Sequence, residues 1–165
     1  MYLRRSCVLV AAVMVMLLAA PAAGYGAITG RIYENKGIRA ARLGMKDSTA
    51  AAKIGGKRTR VTDSSYDYTV WLYRFGAKKS GKYPVEMYSK GKHLVFEFVI
   101  NSTTLKTKNG SRVGTSEGTL ASRYGSALKK SVGPVYTDYW MGTRSGRTDF
   151  YVKAGKVKQI VISRY

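Results

Sequence analysis

Few residues in this chain could do chemistry. The 165 residues include one histidine, His93, one cysteine, Cys7, and nine Asp and Glu. A serine nucleophile needs a base within hydrogen-bond reach. His93 opens the segment HLVFEFVI with no Gly-x-Ser-x-Gly beside it. Ser126 precedes Lys129 by three residues in SALKKS, without the other motifs of the serine–lysine acyl-transfer enzymes. Zinc and thiol chemistry need ligands or a thiolate that one histidine and one N-terminal cysteine do not provide. Carboxylate pairs remain, since two acids can hydrolyse a glycosidic bond. Asp67 and Asp138 are the nearest to such a pair, because each stands in an Asp-Tyr dipeptide at matching places in the chain. The plainer reading makes them strand starts or surface ion pairs. The expectation is therefore no enzyme, no catalytic residue, no metal and no cofactor.

The elements that would position any site recur. LGMKDSTAAAKIG (43–55) aligns with VGTSEGTLASRYG (113–125) at an offset of 70. Leu43 meets Val113, Gly44 meets Gly114, Ala51 meets Ala121 and Gly55 meets Gly125. Each segment predicts a short helix. Asp47 and Ser116 are N-caps whose side-chain oxygens accept from free amides. Ala50 with Ile54, and Leu120 with Tyr124, form an apolar face at i,i+4. Gly55 and Gly125 are left-handed C-caps. With no phosphate-loop lysine, these glycines read as punctuation.

Strand pattern follows each helix. In YDYTVWLYRF (66–75), Tyr66, Tyr68, Val70 and Leu72 fall on one side, and Asp67, Thr69, Trp71, Tyr73 and Phe75 on the other. In the second copy Thr137, Tyr139 and Met141 match the first side, and Asp138 and Trp140 the second. HLVFEFVI predicts a strand with Leu94, Phe96, Phe98 and Ile100 on its apolar face. RTDFYVKAGKVKQIVISRY predicts a hairpin turning near Ala154-Gly155. The fold expected is α+β: two tandem units, each one or two short helices packed on a three- to four-stranded antiparallel sheet. The candidate binding face is aromatic, with Trp71, Tyr73 and Trp140 set among cations, which suits protein, glycan or single-strand contact.

The N-terminus reads as an export signal over 1–22: Arg4 and Arg5, an apolar run from Cys7 to Ala20, then Ala20-Pro21-Ala22. The segments after it are 23–102 and 103–165. They carry 27 Lys and Arg against nine acids, a net +18 shared as +9 and +9. Such a surface attracts polyanions. For an exported protein these are anionic wall polymers, lipid headgroups, extracellular nucleic acid or acidic proteins, and intracellular nucleic acid is not expected.

RLGM (42–45) and RVGTSEG (112–118), each leading into a capped helix, resemble small exported bacterial proteins with tandem helix-then-sheet repeats. The layout is similar to that of β-lactamase inhibitory protein and of the outer-membrane assembly lipoprotein of the BAM complex. That resemblance implies a curved sheet whose open face binds another protein. The expected function is a basic, non-enzymatic exported binding module retained at the cell envelope. The alternatives are a secreted enzyme inhibitor and a carboxylate-dependent envelope hydrolase.

Overall fold

The structure is a computed structural model that describes residues 28–55, 58–63 and 69–165. The expected export segment, and Tyr66, Asp67 and Tyr68, lie outside the described residues. Seven strands occupy the first two thirds of the chain: β1 (Gly30–Tyr33), β2 (Gly37–Ile38), β3 (Ala41–Arg42), β4 (Arg58–Asp63), β5 (Val70–Phe75), β6 (Val85–Lys90) and β7 (Leu94–Ile100). Five more follow: β8 (Leu105–Lys106), β9 (Lys129–Val132), β10 (Thr137–Thr143), β11 (Gly146–Lys153) and β12 (Lys156–Ser163). Helix α1 (Asp47–Ile54) follows β3, and α2 (Glu117–Tyr124) follows β8.

This corrects the expected architecture. The chain does not build two helix-on-sheet units. It is mostly β among the described residues, with twelve strands in one sheet of eight and one of four, and two helices of eight residues each. The large sheet runs β4-β5-β6-β7-β12-β11-β10-β9 and is antiparallel throughout. Its two meanders merge because β7 and β12 pair, with Ile160 opposite Ile100 and Ile162 opposite Phe98. Both strands are apolar and β-branched enough to be buried at the centre of a sheet rather than at an edge. The small sheet, β3-β2-β1-β8, joins the two halves through the parallel pair β1 and β8.

The helices and the small sheet pack on one face of the large sheet. Ile54, Leu120, Tyr124, Ile32 and Ile38 meet Phe75, Met87, Phe98, Phe150 and Ile160 in a single core. The lead-in to each helix is anchored identically. Gly44 and Gly114 donate to the carbonyls of Val95 and Val157, and the amides of Asp47 and Glu117 donate to the carbonyls of His93 and Gly155. Ser116 caps α2 as expected, its Oγ accepting from the Thr119 amide at 3.2 Å. Asp47 does not cap α1: Lys46 is the N-cap and offers no side-chain bond. Gly55 and Gly125 end the helices at φ 73° and 52°, but with extended ψ rather than the left-handed ψ expected. A β-carbon would be strained at both φ values, which explains the glycine at each.

Two bulges reset the faces. Ser89 pairs with Val95 but Tyr88 pairs with Glu97, so Phe96 is extra; Val152 pairs with Val157 but Tyr151 with Gln159, so Lys158 is extra. A bulge places two residues opposite one and breaks the period of two. Val95, Phe98 and Ile100 therefore face the core, while Leu94 is exposed, against the alternation expected for this strand. The hairpin at Ala154-Gly155 forms as read, both residues having positive φ as a type I′ turn requires.

Candidate functional site

The register separates the three aromatic residues expected on one face. Tyr73 pairs with Met87 and Tyr139 with Phe150, and both partners lie in the core. Tyr73 thus corresponds to Tyr139, an offset of 66 rather than 70 or 71. Trp71 and Tyr73 point toward the helices, with Tyr73 buried and Trp71 packed against the core. Trp140 points to the opposite face. An aromatic site of Trp71, Tyr73 and Trp140 does not exist. The sequence matched Asp-Tyr to Asp-Tyr, and that match crossed the pleat.

Trp71 belongs to a packing network. Its ring stacks on His93 at 4.0 Å, and His93 Nδ1 lies 3.1 Å from Asp47 Oδ2. Ser89 Oγ donates to the same oxygen at 2.9 Å. Serine, histidine and aspartate meet here without being a catalytic triad, because the buried serine bonds the carboxylate and not the imidazole. Burial pushes the Asp47 carboxyl up, but bonds from Ser89, His93 and the Ser48 amide outweigh it and hold it below the usual range. In α2 the corresponding acid, Glu117, accepts from Tyr139 and from Lys130. Each helix thus begins with an acid tied to a strand of the large sheet.

The face of the large sheet opposite the helices carries most of the unusual chemistry. Alternation places Arg147, Asp149 and Tyr151 of β11 on it, flanked by Asp138 and Trp140 of β10. Glu97 of β7 joins them across β12, opposite Ser163. Arg147 ties the acids together. Its Nη2 bonds Asp138 Oδ2 at 2.8 Å and also Asp149 Oδ1, which accepts from Nε at 2.6 Å. Asp149 is 2% exposed. Asp138 Oδ1 and Asp149 Oδ2 are buried with no donor. Two carboxyls in contact bond only when a proton lies between them. Burial, then the Asp149 charge, pushes Asp138 up to about 6; burial raises Asp149 too, outweighing the lowering by Arg147 and by its bond with Asp138. Burial and the neighbouring Asp149 charge push Glu97 to about 7.

A carboxyl raised in the folded state is protonated there more readily than in the unfolded chain. The folded state binds more protons between the two pKa values, so stability falls as pH rises from the ordinary glutamate range to about 7. Glu97→Gln is therefore expected to stabilise the protein by on the order of 2 kcal/mol at roughly pH 8 and to be neutral near pH 4. Thermal melts at the two pH values check this; equal effects at both would place the charge elsewhere.

Beside the acids is a cationic aromatic cavity of about 280 Å³ lined by Lys129, Trp140, Thr143, Arg144, Arg147 and Tyr165. The Lys129 ammonium is 4.6 Å and the Arg147 guanidinium 4.2 Å from the Trp140 ring centre. Arg147 is fixed from behind by Asp138 and Asp149, while Arg144 sits in the exposed β10–β11 turn. The arrangement can hold an anionic group against an indole with one rigid and two adaptable cations. A larger cavity of about 700 Å³ lies on the other side, beside α2, with Lys106, Arg112 and Arg123. It has no aromatic wall, and the Thr119 amide beside it is already taken by Ser116. Lys129, Arg144 and Arg147 were legible only in retrospect: an Arg-x-Asp alternation beside a tryptophan strand is the signal.

Neither a family model nor a curated protein matches the chain. Its structure is similar to the crystal structure of the uncharacterized protein yfeY from Escherichia coli, with a TM-score of 0.53 and 12% identity over 82% of this chain and 99% of that one. It is also similar to an extracellular protein containing a SCP domain from Bacillus anthracis str. Ames, with a TM-score of 0.52 and 12% identity over 74% of this chain. The match spans 44% of that longer protein. Neither is a β-lactamase inhibitory protein or a BAM lipoprotein, and at this identity the likeness is one of fold alone.

Proposed function

We propose that the protein is an exported, non-enzymatic binding module that contacts an anionic macromolecule at the cell envelope through the Trp140 end of its large sheet. The observation that carries this is the Trp140 ring set against Lys129 and Arg147 on the face of the large sheet opposite the helices, beside a cavity. The net +18 after the export segment supports an anionic partner. Export rests on the basic, apolar and small-residue pattern of 1–22, and the extracellular protein of similar fold agrees with it. No helix among the described residues is long and apolar enough to cross a membrane.

Intrinsic fluorescence tests this. The chain has two tryptophans, so Trp71→Phe leaves Trp140 as the sole reporter. Titration with inorganic polyphosphate, which presents the phosphate chemistry shared by wall polymers and lipid headgroups, is expected to change its emission saturably. The midpoint should rise steeply with salt as bound counterions are released. Emission that stays constant at low salt would remove Trp140 from the contact surface.

A further inference from the structure

We infer that the partner is an extended, acidic protein segment that adds to the large sheet as a ninth strand along β9. The inference rests on the reading of the Trp140 end as the contact surface and specifies what occupies it. β9 is the last strand of the sheet, paired to β10 on one side and to no described strand on the other. All four of its residues are exposed. Sheet edges are templates for pairing, which proteins commonly limit with short strands and charged side chains, lysine above all. Here the two exposed lysines of β9 fold back over rings of the neighbouring strand. Lys129 lies over Trp140 on the face opposite the helices, and Lys130 lies over Tyr139 at 5.2 Å and bonds Glu117 on the helix face. The outer backbone edge of β9 runs between these two cations, with no described strand beyond it.

The surroundings select the occupant. At the end of β9 and just beyond it the chain exposes Val132 (75%), Val135 (55%) and Tyr136 (36%), an apolar step at one end of the edge. At the other end lie Arg144 and the Trp140 cavity. A strand laid along β9 therefore passes cations and then apolar side chains, which fits acidic residues followed by valine or an aromatic. A second copy of this chain is disfavoured, since β9 against β9 would bring Lys129 and Lys130 of both copies together at one edge. A polyanion without peptide groups could meet the cations but not the backbone edge. Strand addition supplies affinity through main-chain bonds and specificity through alternate side chains.

The test uses a labelled synthetic peptide of about eight residues, glutamates followed by valine and tyrosine, a length typical of one strand. Two further versions carry N-methyl groups on odd or on even residues. In a strand, alternate amides point to the same side, so only one methylated set faces β9. The expected result is that the parent peptide binds, one methylated version weakens by tenfold or more, and the other is unaffected. Equal affinities of the two methylated versions would overturn strand addition; if both still bound, and polyphosphate still changed the Trp140 emission, the anion-binding reading would stand. Failure of both the peptides and polyphosphate to bind would overturn the inference together with that reading.

Discussion

Leu120→Asp is expected to unfold the protein, whereas Ser122→Asp two residues later in α2 is expected to leave it folded. Leu120 has no exposed surface and packs in the core that α2 shares with the large sheet; Ser122 lies on the exposed side of the same helix. An aspartate at 120 removes a buried leucine and places a carboxylate among the apolar side chains of the core. The first change alone costs about 2–5 kcal/mol, and an unpaired buried charge adds several more. That sum approaches the whole stability of a domain of this size, roughly 5–15 kcal/mol. Because β7 and β12 fuse both meanders into one sheet, the loss should be global rather than confined to the second half. Circular dichroism would show a coil spectrum for Leu120→Asp at a temperature where Ser122→Asp is native. Two overlapping native spectra would mean that α2 does not present Leu120 to the core.

Local structure was readable where a single residue decides it. Ser116 caps α2, Ala50 with Ile54 and Leu120 with Tyr124 are the buried helix pairs, and Ala154-Gly155 turns the last hairpin. What failed depends on contacts distant in sequence. Asp47 was read as a cap from its local setting, but Ser89 and His93, 42 and 46 residues away, draw its carboxylate inward. The bulges at Phe96 and Lys158 carry no glycine to announce them, so strict alternation misassigned the faces of β7. The pairing of β7 with β12 converts two expected small sheets into one, and nothing local specifies a pairing between strands some 60 residues apart. The site was half legible: Trp140 was named, but its companions Lys129, Arg144 and Arg147 became neighbours only through the β9-β10-β11 register.

The central claim is that a located site, and not the overall charge, carries binding. Two double variants with the same net charge separate these ideas: Lys129→Glu with Arg144→Glu at the Trp140 cavity, and Lys106→Glu with Arg112→Glu at the larger cavity beside α2. Arg147 is left intact because Asp138 and Asp149 depend on it. All four replaced residues are exposed, so both variants should keep the wild-type melting temperature within a few degrees. The measurement is polyphosphate affinity across a salt series. The account predicts that the Trp140-cavity variant loses roughly tenfold or more at low salt and that its salt slope falls by about two, the number of contacts removed. The α2-cavity variant should bind nearly as wild type does. Equal losses in both variants would show that diffuse charge is responsible, and a loss confined to the α2-cavity variant would place the site on the opposite side of the molecule; either result contradicts the account.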